Sequence, residues 1–155
     1  MNTTLNAPGP RYQALLQLLR TAESLWEISR RFFDRWELSP SQFNLLNLLH
    51  GAAEEGLTQI ELSRELITHR SNVTGLVDRL QARGLVQRVG NPTDRRVWRV
   101  SLTPAGQKLM AEVLPSYYAA AEAVWGRVPV NRAQQLVDDL SELTANAKQI
   151  AQEDT

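Results

Sequence analysis

Residues 85–103 read LVQRVGNPTDRRVWRVSLT, and this stretch decides the fold. Two runs rich in β-branched and apolar residues flank a loop of turn-forming residues, 90–94, which is the pattern of a β-hairpin. The strands of this hairpin are expected at 85–89 and 97–102. Arg95 and Arg96 follow the loop directly, so the hairpin presents guanidinium groups at its tip, as a wing that meets a polyanion would.

The residues before the hairpin predict a short helix followed by a longer one. Thr58 and Glu61 have the spacing of a capping box, so a short helix begins there and ends near Leu66. A second helix can be capped by Thr68 and ended by Gly84. The apolar residues of this second helix recur at helical spacing and predict one buried face: Val73, Leu76, Val77 and Leu80.

A further helix begins near Ser39 and precedes the short helix. The order of helix, short helix, helix and hairpin is that of a winged helix-turn-helix. In this module the helix before the wing buries one face and presents the other to the major groove of DNA. Arginine and asparagine suit base edges, whereas serine, threonine and free backbone amides suit phosphate. The outward residues are His69, Arg70, Ser71, Asn72, Thr74, Gly75, Asp78 and Arg79. His69 could equally be an exposed histidine that contacts nothing.

Long amphipathic helices flank this module on both sides. The first, at 12–36, would span about 37 Å, which is longer than a domain of this size needs for its own core. A capping box at Ser39 to Gln42 begins the next helix, Thr103-Pro104 opens a fifth, and a third capping box is expected at Asn131 to Gln134. The last helix carries a heptad seam with 3,4,3,4,3 spacing: Ala133, Leu136, Leu140, Leu143, Ala147 and Ile150.

Residues 1–155 are therefore expected to form a single domain. The fold class is mainly α with a small β-hairpin wing. Residues 39–103 form the winged helix-turn-helix DNA-binding lobe, and 11–38 and 104–152 are flanking dimerisation helices. The over-long first helix and the heptad seam both require another surface, which predicts a homodimer.

Charge is distributed unevenly along a chain whose net charge is zero. Residues 64–99 carry eight arginines and three acids, a net charge of +5, and the remainder carries −5. A basic segment of this kind indicates a contact with nucleic acid, or otherwise a solvated charged face. The absence of cysteine excludes disulfides and thiolate metal sites. With no secretory signal and no membrane-spanning run, the chain is expected in the cytoplasm, away from membranes.

Three stretches resemble the multiple antibiotic resistance regulator (MarR) family over about residues 12–150. They are LTQIEL at 57–62, NVTGLVDRL at 72–80 with GLVQR at 84–88, and the wing DRR at 94–96 with VSLT at 100–103. The resemblance implies a homodimer that binds a pseudopalindromic double-stranded DNA operator, most often as a repressor. It also implies that Arg96 enters the minor groove while Asp94 holds the loop. Arg88 and Arg99, nearer the base of the wing, are expected to reach only phosphate.

Other candidate sites have plain structural alternatives. The family often has an effector cleft for a small aromatic or anionic compound, and Trp26, Phe43 and His50 are candidates to line it. Core packing for the two aromatic residues, and a favourable interaction with the helix dipole for His50, are the alternatives. No cofactor, metal site or catalytic constellation is expected, so the chain is not expected to be an enzyme. The competing function is a protein-interaction module whose arginine face docks an acidic partner.

Overall fold

The computed structural model describes residues 9–52, 55–67, 73–90 and 98–153. Within these ranges the chain is mostly helical and has one small antiparallel sheet, which confirms the expected fold class. In chain order the elements are α1 (Pro10–Phe33), a 3-10 turn (Asp34–Trp36), α2 (Pro40–Gly51), β1 (Leu57–Thr58), α3 (Gln59–Glu65), α4 (Val73–Ala82), β2 (Val86–Gly90), β3 (Trp98–Leu102), α5 (Pro104–Trp125) and α6 (Val130–Glu153).

The chain divides into two compact units, residues 1–113 and residues 114–155. The first unit holds α1 to α4, the sheet and the start of α5, and the second holds the rest of α5 and α6. The division into a DNA-binding lobe at 39–103 and flanking dimerisation helices stays a prediction.

Capping boxes begin two of the helices where the sequence predicts them. At the start of α2, the Ser39 hydroxyl accepts from the Gln42 backbone N–H, and the Gln42 side chain accepts from the Ser39 N–H. Thr58 and Glu61 make the same reciprocal pair at the start of α3. Each pair satisfies two backbone donors that a helix N-terminus leaves without an acceptor.

The helix before the wing buries the expected stripe and ends at the expected glycine. Gly84 has a φ of +69°, a conformation that glycine adopts without strain. The Gly84 N–H donates to Gln81 O at 2.9 Å, and the Leu85 N–H donates to Leu80 O at 3.0 Å, which is the Schellman arrangement. All four predicted stripe residues are buried: Val73, Leu76, Val77 and Leu80. This packing fixes which face of α4 points outward.

The sheet has one strand more than a hairpin. β2 and β3 pair antiparallel with Val86 opposite Leu102 and Gly90 opposite Trp98. Leu57 and Thr58 add a short third strand, β1, on the other side of β3, so the order is β1-β3-β2. The two strands of the predicted hairpin are confirmed to within a residue, and the loop between them, 91–97, lies outside the described residues.

Helix α5 begins as predicted, and α6 does not. The Thr103 hydroxyl caps α5 by accepting from the Gly106 N–H at 3.1 Å. The capping box expected at Asn131 is wrong, because the N–H groups of Arg132 and Ala133 donate to Pro129 O and the helix already begins at Val130. The first N–H groups of a helix have no intrahelical acceptor, so a proline at the start of a helix loses no helical hydrogen bond.

The core of the first unit lies around α2 and α4. Phe43 is buried and its ring stacks on that of Phe33, with ring centroids 4.3 Å apart. Met110 and Val113 of α5 are also fully buried. By contrast, Phe33 is the one buried residue of Pro10–Phe33, and none of Val130–Glu153 is buried. The long helices therefore leave apolar side chains exposed.

Candidate nucleic-acid interface

Two of the nine predicted DNA-binding residues lie on the described part of α4. Thr74 and Arg79 are both exposed, as the buried stripe requires. Thr74 Oγ1 lies 3.4 Å from the side-chain oxygen of Gln59, so the first turn of α3 touches this outward face. The other seven lie outside the described residues, and their positions stay predictions: His69, Arg70, Ser71, Asn72, Asp94, Arg95 and Arg96.

Arg88 joins the wing to α4. One guanidinium nitrogen donates to the Asp78 carboxylate at 2.6 Å, and another donates to the Gln81 side chain at 2.5 Å. A planar guanidinium can hold two acceptors on neighbouring turns of one helix, which lysine cannot do as well. The expectation that Arg88 reaches only phosphate therefore misses its contact with the chain itself.

Arg99 has a comparable role at the other side of the sheet. Its guanidinium donates to the Gly56 carbonyl at 2.8 Å and to the Glu55 carbonyl at 3.2 Å. The same group lies 3.9 Å from the carboxylate of Glu61. The backbone N–H and hydroxyl of Thr58, with smaller effects of Arg99 and Arg64, hold the pKa of Glu61 below its usual value. Arg99 thus secures the turn that leads into α3.

Arg83, the residue after α4, binds the 3-10 turn that follows α1. Its guanidinium donates to Glu37 O at 2.6 Å and to Trp36 O at 3.2 Å. Glu37 has a φ of +55°, an uncommon conformation for a residue with a side chain, and Arg83 holds the carbonyls around it. Among the described arginines of the basic window, Arg83, Arg88 and Arg99 therefore bind parts of this chain.

The sequence reasoning did not single out the exposed apolar residues near the wing. Trp98 is 55% exposed, and Ile60 and Ile67 are more exposed still. Strand alternation places Trp98 on the same face as the core residue Val100, and therefore predicts that Trp98 is buried as well. The place of Trp98 in the strand could have predicted its exposure. Trp98 directly follows the loop, whereas Val100 lies nearer the core.

A separate cavity of about 530 Å³ lies between the end of α1 and the start of α2. It is lined by Trp26, Arg30, Asp34, Glu37, Leu38, Ser39, Pro40 and Ser41. Of the three candidate effector residues, Trp26 lines this cavity. Phe43 belongs to the core described above, and His50 is exposed in the last turn of α2.

Two further findings concern only the residues that the structure describes. Among them, no group of three or more His, Asp or Glu side chains could hold a metal ion. No helix in the described ranges combines the length and apolar character needed to cross a membrane.

Comparisons with known proteins point to one family. Residues 36–97 match the model of the MarR family. YsmB of Bacillus subtilis (strain 168), named an HTH-type transcriptional regulator, is 36% identical over 85 residues, which are 55% of this chain and 57% of YsmB. The HTH-type transcriptional regulator MhqR of the same organism is 26% identical over 132 residues, 85% of this chain and 90% of MhqR.

Solved structures agree on the fold. A MarR/EmrR family transcriptional regulator from Acinetobacter sp. ADP1 has a TM-score of 0.80 and 17% identity, covering 92% of this chain and 99% of that chain. The family model covers residues 36–97, which include most of the sequence motifs. Residues 36–97 of the chain thus match the MarR family, and the fold is that of a solved MarR/EmrR family regulator.

Proposed function

We propose that this chain is an effector-responsive transcriptional repressor that binds a pseudopalindromic double-stranded DNA operator, and that it acts in the cytoplasm and has no catalytic activity. The observation that carries the proposal is the orientation of α4. Its apolar stripe is buried, so Thr74 and Arg79 are exposed on the outward face, beside the wing. MepR from S. aureus, which shares the fold with a TM-score of 0.74 and 18% identity, forms a complex with DNA. The relatives YsmB and MhqR are named transcriptional regulators.

In this proposal α4 enters the major groove and the wing tip enters the minor groove. Arg70 and Asn72, which precede α4 in the sequence, read base edges. Arg96 enters the minor groove, where the negative potential of a narrow groove favours a guanidinium, and Asp94 orients it.

A binding experiment tests this assignment. A 24-bp duplex selected by the protein from a random pool is titrated by fluorescence anisotropy over a salt series. Arg96→Ala and Arg79→Ala are each expected to weaken binding by about 1 to 3 kcal/mol and to lower the salt slope by about one. Arg127→Ala, an exposed arginine in the turn after α5, is the matched control and should bind like the parent.

The competing function predicts the opposite pattern. If the arginine face docks an acidic protein, polyglutamate should displace the duplex readily, and no sequence should be preferred over any other. Equal effects of the three alanine substitutions would likewise contradict the proposed wing and recognition helix.

We propose further that the regulator is a homodimer. Helix α1 exposes several large apolar side chains, and contiguous apolar surface on a soluble protein commonly marks an interaction site: Tyr12, Leu15, Leu19, Leu25 and Ile28. Along α6 the heptad seam is similarly uncovered, with Leu136, Leu143 and Ile150 all exposed. A second copy of the chain would bury both surfaces.

Sedimentation equilibrium tests the dimer. The parent is expected to show twice the chain mass at micromolar concentration, and Leu143→Glu to shift it toward the monomer. Ala145→Glu places the same charge two residues further on, on the side of α6 opposite the seam, and should leave the mass unchanged. A folded parent monomer that still binds the selected duplex would contradict the dimer.

The cavity beside α1 is our candidate for an effector site. Trp26 and Pro40 offer surfaces for an aromatic ring, and Arg30 offers a partner for a carboxylate, although Asp34 and Glu37 also line the wall. DNA binding by BpsR of Bordetella bronchiseptica, which shares the fold with a TM-score of 0.64, is regulated by 6-hydroxynicotinic acid.

Aromatic carboxylates, including 6-hydroxynicotinate, are therefore the first compounds to test. An active compound should raise the melting temperature and release the selected duplex, and Arg30→Gln should abolish both effects. Arg20→Gln, on the same helix but not lining the cavity, is the control. Retention of both effects in Arg30→Gln would place the site elsewhere.

A further inference from the structure

Trp98 occupies the outermost described position of β3. It pairs with Gly90, the last residue of β2, so the strand opposite it offers no side chain to cover the indole. The result is a large aromatic side chain that remains 55% exposed. Tryptophan combines a large apolar ring with one N–H donor and is enriched at interfaces for that reason, so this exposed indole is a candidate contact residue.

The face of the sheet that carries Trp98 can be identified from the strand register. Residues opposite each other in an antiparallel pair lie on the same face, and alternate residues of a strand share a face. Trp98 and Val100 therefore share a face with Arg88, which pairs with Val100. Because Arg88 reaches Asp78 and Gln81, this face looks toward α4.

A strand of DNA would pass through this place. When α4 lies in the major groove and the wing tip lies in the adjacent minor groove, the sugar–phosphate backbone that separates the two grooves runs between them. Asp78 would repel phosphate there, but the 2.6 Å ion pair with Arg88 balances its charge. The Trp98 side of the wing is thus compatible with a polyanion.

We propose that Trp98 is a DNA-backbone anchor. The indole ring packs against a deoxyribose, and its N–H, which can only donate, binds a phosphate oxygen. Such a contact positions the duplex between α4 and the wing without reading its sequence. This inference rests on the proposed DNA-binding function and adds a residue that lies outside the predicted set.

Three variants separate the parts of this contact. Trp98→Ala removes ring and donor, and Trp98→Phe keeps an apolar ring but removes the donor. Val89→Ala is the matched control, because Val89 is 46% exposed and pairs with Arg99 on the opposite face of the wing. Circular dichroism checks the fold of each variant, and Trp98→Phe keeps the test decisive if Trp98→Ala does not fold.

Binding is measured by anisotropy with the selected 24-bp duplex and with a scrambled duplex of the same composition. Trp98→Ala should weaken both complexes about tenfold, the size expected when a hydrogen bond to a charged group is lost. Trp98→Phe should fall between Trp98→Ala and the parent, and Val89→Ala should stay within about twofold of the parent. The preference for the selected duplex over the scrambled one should not change.

Acrylamide quenching gives a second measurement. The difference in tryptophan quenching between the parent and Trp98→Phe reports on Trp98, and DNA should reduce it. Parent-like binding by Trp98→Ala, or an unprotected Trp98, would overturn the anchor while leaving DNA binding intact. A loss confined to the selected duplex would overturn the backbone contact in favour of base reading. Failure of the parent to bind any duplex would overturn the proposed function itself.

Discussion

Replacing Glu61 with glutamine tests whether the capping box that begins α3 stabilises the fold through its charge. The Glu61 carboxylate accepts from the Thr58 N–H at 2.7 Å and from the Thr58 hydroxyl at 2.8 Å. Glutamine can keep an acceptor at the same place, so Glu61→Gln removes the charge while retaining the shape. The longer 3.9 Å contact with Arg99 is also lost.

The expected cost follows from these contacts. A hydrogen bond to a charged acceptor contributes about 1 kcal/mol more than one to a neutral acceptor. Since the Glu61 side chain is 45% exposed, water screens part of this difference, and an exposed ion pair at 3.9 Å adds only a few tenths of a kcal/mol. Glu61→Gln should therefore lower the free energy of unfolding by about 0.5 to 1 kcal/mol at pH 7.

The pH dependence provides the sharper test. The pKa of Glu61 is lowered in the folded state, so its contribution is complete above the ordinary value of about 4.3. This contribution is lost as the pH falls through the lower folded-state pKa. The stability difference between parent and Glu61→Gln should therefore be constant near neutral pH and shrink in acid.

Urea unfolding followed by circular dichroism, at one fixed protein concentration, measures this difference. A loss of 0.5 to 1 kcal/mol moves the urea midpoint by about 0.2 to 0.5 M. Glu65→Gln makes the same charge change in the last turn of the same helix, where a negative charge is not favoured, and should cost nothing. Unchanged stability of Glu61→Gln at pH 7, or a difference that persists undiminished in acid, would refute the reasoning.

Two further substitutions test the core and the close packing beneath the wing. Leu80→Ala, at a fully buried position of α4, should lower the free energy of unfolding by about 2 to 5 kcal/mol. Ile60→Ala, at an exposed position of α3 outside the proposed dimer surfaces, should have only a small effect, and equal losses in urea unfolding would contradict the packing. Gly106→Ala would place a Cβ 2.1 Å from the Leu85 carbonyl oxygen and should lower the free energy of unfolding by about 1 to 3 kcal/mol. Gly51→Ala, in open space, should be neutral or stabilising. A Gly106→Ala variant with parent-like thermal unfolding would disprove the close approach.

The parts of the fold that could be predicted are those specified by nearby residues. Capping boxes at Ser39 and Thr58 depend on residues three apart, and the left-handed turn at Gly84 depends on one glycine. Strand β1 could not be predicted in this way. It has two residues, one of which is also the cap of α3, and it exists because β3 lies beside it.

Long-range contacts also explain what the sequence analysis missed at the site. Nothing near Arg83 in the chain indicates that it binds carbonyls 46 and 47 residues away. The wrong start of α6 has a local cause, because Asn131 and Gln134 have capping spacing but Pro129 already provides the acceptor. A capping motif thus predicts the start of a helix only where no earlier residue can accept the first helical hydrogen bonds.

A basic segment can attract DNA through its long-range field and can also bind phosphate directly, and a count of charges does not distinguish these two effects. The contacts of Arg83, Arg88 and Arg99 do distinguish them. Arg83 binds neutral carbonyls, and Arg99 binds them at shorter distances than the 3.9 Å that separates it from the Glu61 carboxylate. Both therefore still contribute to the long-range field that would attract DNA. Arg88 is paired with Asp78 and adds little to that field. None of the three has its guanidinium directed freely at phosphate, since each already holds acceptors within the chain. More arginines should therefore affect the rate of association with DNA than make direct contacts with it. Arg99→Ala should act mainly by destabilising the turn before α3.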